Sequence, residues 1–421
     1  AKTRRSYWED LFDECYELAI PHRETFSAMV PGERRDDRIF DETAVVGTQE
    51  FCSRLQHGIV PNFARWAELQ SGPEIPDDQR EEIDKALDNV TEYVFEVIQN
   101  SNFSQEVHES FFDLAVSTGV LKVDEGDAAN PIVFSAVPLP RVVLDTGPRD
   151  EIDFKAFCLK DKRFEVISTM YPKASLTDEM KKRALDPKAK TDILEICYRD
   201  WSRRNEHVIK TCAICVETKE MIWEEEEVGV GADPILTYRW TTCSGEVYGR
   251  GPLIQALSAI KTTNLTVRLI LENAQMAISG VYQMDDDGVI GPDTIQIVPG
   301  TIIPVAPGSA GLRPVEAAGD FNVSQLILGD MRNNIKRALF NDMLGDPNRT
   351  PASATEVAER MADLSRRMGS AFGRLQAELV QPVLQRVIWS SEPDDRFGRG
   401  FCVSWQKIWR TGHLDSFGGR S

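Results

Sequence analysis

The sequence predicts an α+β protein. Three observations carry that prediction: helix-period apolar patterns through the first lobe, a run of short β-branched and aromatic segments from 119 to 247, and long helical patterns beyond them, interrupted by one Pro- and Gly-rich stretch. At 421 residues and 47.3 kDa, the chain is long enough for two or three domains on a prior of roughly 150 residues each. Apolar residues at 42% and charged residues at 27% exclude a disordered or collagen-like chain.

Residues 1–118 form the first lobe, helical and punctuated at Pro21, Pro31-Gly32, Pro61 and Gly72-Pro73. Its clearest element runs from Asp77 to Gln99. The acidic opening DDQREEID suits the positive end of a helix, and Ile83, Leu87, Val90, Val94 and Val97 or Ile98 follow at steps of three to four. A second helix covers Phe103 to Val116. Residues 119–251 then hold VLKVDEG, PIVFSAVPL, RVVLD, FKAFCLK, DILEICYR, HVIKTCAICVE and ILTYRWTT, which read as strands of an antiparallel sheet or small barrel. The insert from Pro172 to Lys190 reads as one short helix with Thr177 as its cap.

The punctuation Gly249-Arg250-Gly251-Pro252 opens a helix to Ser279, with proline in the first turn where its missing N–H does no harm. It would be ~42 Å long at 1.5 Å per residue. Residues 280–319 read as a compact β-rich excursion. A helix from Phe321 to Leu344 is stopped by Gly345-Asp346-Pro347, leaving a loop at 345–350. The longest helix follows from Pro351 to Trp389, with Val357, Met361, Leu364, Met368, Phe372, Leu375, Leu379 and Val383 on one face. It would reach ~58 Å, with a kink expected at Pro382.

Charge narrows the function. Sixty-seven acids against 48 bases leave −19, so the surface as a whole cannot grip phosphates, although local basic contacts are allowed. The distribution is uneven: 252–279 and 321–389 together sum to +3, whereas 280–320 has Asp285, Asp286, Asp287, Asp293, Glu316 and Asp320 against Arg313 alone. No apolar run reaches the roughly 20 residues of a membrane span, and the nearest, 289–312, contains Asp293 and four prolines. The chain starts without Met and without an apolar leader, as expected of a processed or trimmed product, and nothing points to secretion. Eight cysteines are too sparse for a disulfide scaffold and read as mostly free thiols.

Catalytic chemistry finds little support. Cys212-Ala213-Ile214-Cys215, with His207 and Cys243 nearby, has the spacing of a zinc or redox pair, but a second close pair is missing and both thiols fall in a strand. Glu224–Glu227 and Asp285–Asp287 are candidate divalent-metal ligands, which would make the protein a metal-dependent DNA hydrolase. Each reads more simply as a solvated turn, and position twelve counted from Asp285 is Gln296 rather than the Glu of a calcium loop. Gly229-Val230-Gly231-Ala232-Asp233-Pro234 is half of a phosphate loop, with no glycine-opened helix after it. His22, His57, His108, His207 and His413 are scattered, and no nucleophile elbow is present. The reading is therefore of a non-enzymatic protein with no catalytic residue, metal or cofactor. Two long helices joined by a small lobe need neighbours for their second faces, which favours a ring or bundle of subunits over a monomeric adaptor.

Five stretches resemble the head-to-tail connecting, or portal, proteins of short-tailed, T7-like phages. They are Arg5-Ser6-Tyr7-Trp8 with Ala19-Ile20-Pro21 and Ile39–Ala44; Leu55–Leu69, with Pro61 ahead of Arg65-Trp66; Ser117-Thr118-Gly119; Val247-Tyr248-Gly249-Arg250-Gly251-Pro252; and Arg349–Val357, including Ala354-Thr355-Glu356-Val357. The fourth and fifth are the most specific. The resemblance implies a portal-type architecture. Residues 1–118 and 119–251 would be the wing, 252–279 and 320–344 the two-helix stem, 280–319 a β-rich clip, and 345–350 a tunnel loop. The long helix 351–389 follows, and 390–421 stand where relatives continue into a helical crown, here reduced, missing or replaced.

The same resemblance implies a ring of about twelve copies at one capsid vertex, through which double-stranded DNA is packaged and later ejected without sequence specificity. Its implied partners are terminase, which would turn over the ATP, tail adaptors, and capsid and scaffold proteins. The ring would assemble in the host cytoplasm and reside in the virion. Asp346, Asn348, Arg349 and Thr350 would then face DNA. Lys261, Arg268, Arg332, Lys336 and Arg337 would face the channel or neighbouring copies, and Asp285, Asp286, Asp287, Asp293 and Arg313 would dock partners. A largely negative bore lets DNA slide, with sparse bases making brief phosphate contacts.

Overall fold

The computed structural model describes residues 1–26, 36–279, 282–283, 313–314, 321–341 and 368–391, apart from 63, 73–74, 128–129, 172–173, 175, 187 and 204–205. It is a mixed helix and sheet structure, the predicted class. Four helices build the N-terminal lobe: α1 (Lys2–Ala19), α2 (Thr43–Ile59), α3 (Asp77–Asn100) and α4 (Phe103–Val116). α3 and α4 form where the periodicity places them, and Leu87, Val90, Val94, Val97 and Ile98 are all buried. α1 is fastened to α4 by the buried Tyr16 hydroxyl, which donates to Asp113 at 2.5 Å, while Arg23 reaches the same carboxylate at 3.2 Å. Burial pushes the Asp113 carboxyl up, against the opposing pull of Arg23.

The β region forms two antiparallel sheets rather than one sheet or barrel. In the first, β1 (Thr118–Glu125) lies between β2 (Ile132–Ala136) and β8 (Ile235–Arg239). Six consecutive residues of β1 are buried, as befits a strand covered on both faces. The second sheet is a meander in the order β3 (Val142–Thr146), β4 (Ile152–Arg163), β5 (Lys190–Arg199), β6 (Val208–Cys215) and β7 (Met221–Val228). Two short helices, α5 (Phe164–Met170) and α6 (Asp178–Ala184), join β4 to β5 where one was expected. Thr177 stands at the N-cap of α6, but its hydroxyl makes no capping bond and has no partner among the described residues.

The interior is divided. The main core runs from α1 through the first sheet to the C-terminal helices. A second, smaller core of Phe164, Ile167, Tyr171, Met180, Ile193, Ala213, Cys215 and Ile222 lies under α5 and α6. Between them, buried Glu195 accepts from Lys122 at 3.0 Å and from the Tyr171 hydroxyl at 2.7 Å.

α7 (Pro252–Ser279) has its predicted bounds and packs against α8 (Phe321–Ala338), with β9 (Tyr282–Gln283) and β10 (Arg313–Pro314) pairing antiparallel beyond them. α8 ends six residues before the predicted Leu344. Phe340, at φ +58°, turns the chain out of the helix: its N–H donates to Arg337 O at 3.1 Å and that of Asn341 to Lys336 O at 2.7 Å, the paired bonds of a Schellman stop. The last described segment is α9 (Ser370–Leu375), a π-turn at Gln376–Val380 and α10 (Gln381–Ser391). The unbroken helix predicted to run through this segment is interrupted at Gly369, which has φ +50° and ψ −116°. Pro382, where a kink was expected, lies in the first turn of α10 directly after the π-turn, a position at which a proline ring is accommodated.

Candidate functional site: a two-helix projection and its anchor

The segment Tyr248–Pro252 sets the direction of α7. Tyr248 is fully buried beside Trp8 and Phe12, and its oxygen accepts from the Leu144 N–H at 3.0 Å. Gly249 donates to the Thr118 hydroxyl at 3.1 Å and accepts from Ser117 Oγ at 2.8 Å, while Gly251 donates to Val116 O at 2.9 Å. The turn is thus stitched to the corner between α4 and β1. A β-carbon on Gly249 would lie 2.6 Å from Ser117 O, and one on Gly251 would lie 2.0 Å from Ala115 O. The glycines are required by close backbone approach, not by positive φ, since neither is among the positive-φ residues. Arg250 braces the turn, with its guanidinium 2.6 Å from Glu246 and 4.9 Å from the centre of the Trp8 ring. Pro252 begins the helix.

Along α7 the environment changes. Leu253, Ala256, Leu257 and Ile260 are buried, yet Leu265, Leu269 and Leu271 are 54%, 51% and 52% exposed. Ile327 on α8 is also exposed, while Leu328 and Ile335 are buried. The first half of α7 belongs to the body, and the second half presents leucines to the surroundings. Leu265 and Leu269 share one face of the helix, whereas Leu271 stands about 200° round from Leu269; apolar spacing alone predicts uncovered second faces without saying which residues they hold.

The cations predicted to line a channel or face neighbours are partly committed within the subunit. Lys261 pairs with Glu14 at 2.6 Å, and Arg268 pairs with Glu272 at 2.8 Å, 5.9 Å from the Phe40 ring centre. Arg332 grips Asp41 at 2.6 Å. Burial disfavours charge on Asp41, but hydrogen bonds from Thr43 and Arg332 outweigh it and hold the carboxyl below the usual range. Asn264 completes this joint: its oxygen accepts from the Phe40 N–H at 2.7 Å, and its amide donates to Arg38 O at 2.9 Å. Lys336 and Arg337 are exposed. Arg313 lies in β10, whose backbone pairs with β9. Asp285, Asp286, Asp287, Asp293, Asp346, Asn348, Arg349, Thr350, Ala354, Thr355, Glu356 and Val357 lie outside the described residues.

The acidic run at 224–227 is not a turn. It is the middle of β7, where Glu226 pairs with Arg203 at 2.7 Å and Glu227 with the buried Arg386 of α10 at 3.0 Å. Arg386 also donates to Ala232 O at 3.1 Å, and a β-carbon on Gly231, at φ +96°, would lie 2.4 Å from Gln385 O. The glycine-rich segment 229–234 is therefore a seat for α10. A second clamp fixes the π-turn: Arg239 meets Glu378 at 2.7 Å through its guanidinium and at 2.9 Å through its backbone N–H. Cys212 and Cys215 sit on opposite faces of β6, half-buried and buried, so they cannot share a metal. Among the described residues no group of three His, Cys, Asp or Glu side chains converges as a metal site. No described helix is long and apolar enough to cross a membrane.

The family model for the bacteriophage head to tail connecting protein matches residues 1–397. A probable portal protein of Bordetella phage BPP-1 is 20% identical over 424 aligned positions, covering 91% of this chain and 71% of that protein. Among solved structures, a chain of the virion of a native gene transfer agent particle matches with a TM-score of 0.40 and 11% identity, covering 96% of both chains. A chain from the neck of the native particle matches with a TM-score of 0.35 and 13% identity, covering 84% of this chain and 93% of that one.

Proposed function

The chain belongs to the bacteriophage head to tail connecting proteins, and from that premise we propose that it is the portal subunit of a short-tailed phage. Copies assemble as a ring, of about twelve on the family resemblance, at one vertex of the virion capsid. One observation carries this reading: the projecting half of α7 exposes Leu265, Leu269 and Leu271 at about half of their surface each. Covering the exposed half of such a side chain against a neighbour contributes roughly half of the ~1.5–3 kcal/mol of full burial, about 1 kcal/mol each, and a ring of copies covers them all.

On this reading α7 and α8 are the stem, 280–319 the clip, and 345–350 the tunnel loop. DNA passes through the ring during packaging and ejection, held off by an excess of negative charge at −19 per copy. Arg349 makes brief phosphate contacts, and the clip acids Asp285–Asp287 set the salt dependence of terminase or tail-adaptor docking. Lys261, Arg268 and Arg332 act first as braces of the stem, because each already holds an acid of its own subunit.

The test is the mass of the purified chain by sedimentation velocity and native mass spectrometry. A closed ring near twelve times 47.3 kDa is the expected result. A chain that remains a 47.3 kDa monomer at every concentration overturns the proposal.

A further inference from the structure

Within a protein of net charge −19, residues 160–190 hold nine bases and five acids. This stretch is α5, α6 and their flanks, folded over the small second core. Lys181, Lys182, Arg183, Lys188 and Lys190 are all exposed. Among them Leu185 is 83% exposed, the most of any large apolar side chain described. Arg183 pairs with Glu217, which brings the end of α6 against the β6–β7 turn. That turn adds Val216 at 43% exposure and β7 opens beside it with Met221 at 52%. An apolar knob ringed by lysines at one tip of a sheet has the anatomy of a protein interface, apolar at its centre and charged at its rim. Duplex DNA would be met by bases without exposed Leu and Met.

The complementary surface lies along the same sheet. Among the described residues β7 pairs with β6 alone, which leaves its outer edge without a described strand partner. That edge carries exposed Glu224 and Glu225 and ends in Val228 and Val230, which are 48% and 55% exposed. Consecutive glutamates prevent two β7 edges from pairing with each other, because like charges would face one another along the strand. The basic tip likewise repels its own copy. What remains favourable is contact between unlike patches, which within a ring of copies runs head to tail.

We propose that the basic tip of one subunit, centred on Leu185, docks on the acidic β7 edge of the next copy, forming a wing-level interface distinct from the α7 leucines. This rests on the ring reading. Two charge-reversed full-length variants test it: Lys181→Glu, Lys182→Glu, Lys188→Glu and Lys190→Glu together, which turn the excess of four bases into an excess of four acids, and Glu224→Lys with Glu225→Lys. Like charges placed in contact oppose association strongly, so each variant alone needs roughly tenfold or more higher concentration to assemble. An equimolar mixture assembles again, because every contact in an alternating ring is then between opposite charges. That rescue also shows that both variants are folded.

Wild-type rings with either variant assembling as wild type overturn the docking inference and leave the ring reading standing. So does a mixture that assembles no better than its parts. A lysine variant that assembles normally but binds a labelled 30-base-pair duplex more weakly assigns the tip to DNA instead. A wild-type chain that never assembles sinks the ring reading and this inference with it.

Discussion

Gly251 and Ala115 stand so close that a β-carbon on the glycine would lie 2.0 Å from the alanine carbonyl oxygen. This contact, with the Gly251 N–H bonded to Val116 O at 2.9 Å, joins α7 to the end of α4. Even Gly251→Ala must push the two backbones apart, with a cost of about 1–3 kcal/mol as for other overpacked sites. Gly249→Val with Gly251→Val should abolish ring assembly. Thermal melting of the single variant and sedimentation of the double one check both outcomes. Unchanged values would mean that the joint yields freely.

Substituting Leu265 and Leu269 together with Glu is expected to leave the fold within about 0.5 kcal/mol of wild type, as for surface positions generally. Assembly should nevertheless fail, since the charges would be carried into the contact. Circular dichroism melting paired with native mass spectrometry separates these effects. Rings of normal mass would remove the main support for the portal proposal.

Arg332 and Asp41 give a pH-dependent joint. The folded-state carboxyl lies below its usual range, so its contribution is present at neutral pH and is lost as pH falls through that lowered value. Arg332→Ala should cost about 1 kcal/mol at pH 7, near the low end for a charged hydrogen bond because the guanidinium is 44% exposed. The loss should begin to shrink below about pH 4, where the carboxyl of the unfolded chain takes up a proton before that of the folded one does. Denaturant titrations at pH 7 and pH 3.5 measure it, and an equal loss at both would exclude ionisation of Asp41 as the cause.

Breaking the clamp between Arg239 and Glu378 should be costlier, since the two side chains are 10% and 20% exposed. Arg239→Ala leaves the Glu378 carboxylate with Arg374 at 3.1 Å and the backbone N–H of residue 239, so the expected cost is that of a lost charged hydrogen bond, about 1.5–3 kcal/mol. The change should appear as faster amide exchange in α10, whose approach to the sheet the π-turn fixes.

Arg349→Ala is expected to leave ring mass unchanged while altering packaging or retention of DNA, with an effect that weakens at high salt. Loss of the ring itself would instead make Arg349 an intersubunit ion-pair residue, and normal rings with normal packaging would remove it from both roles.

Much of this was legible in the sequence, and the exceptions share a cause. α3, α4 and α7 follow from periodicity and punctuation because each buries a regular stripe. The run Glu224–Glu227 reads as a turn, yet forms a strand whose charge is balanced by Arg203 from the loop before β6 and by Arg386 from a distant part of the chain. α5 was missed because FEVISTM is β-branched in composition, and only packing over Ile193 and Ala213 makes it helical. α8 stops at Ala338 because Phe340, a residue that rarely adopts left-handed backbone, is held there between Phe51 and Trp240. The glycines of the α7 anchor were recognisable, but their reason was not: the obstruction is Ala115 and Ser117, more than 130 positions away in the chain.

The division of the interior into two cores has a mechanical consequence. The small one is made almost wholly of α5, α6 and the neighbouring ends of β5, β6 and β7, and meets the large one through Leu159 and the polar trio of Lys122, Glu195 and Tyr171. A largely polar seam between two apolar clusters is where cooperativity weakens, so the tip is expected to open at a lower free energy than the main core. It can loosen and reclose while the anchor of α7 stays intact. A load applied at the rim of the assembly would then be absorbed locally, before it reaches the helices that set the bore.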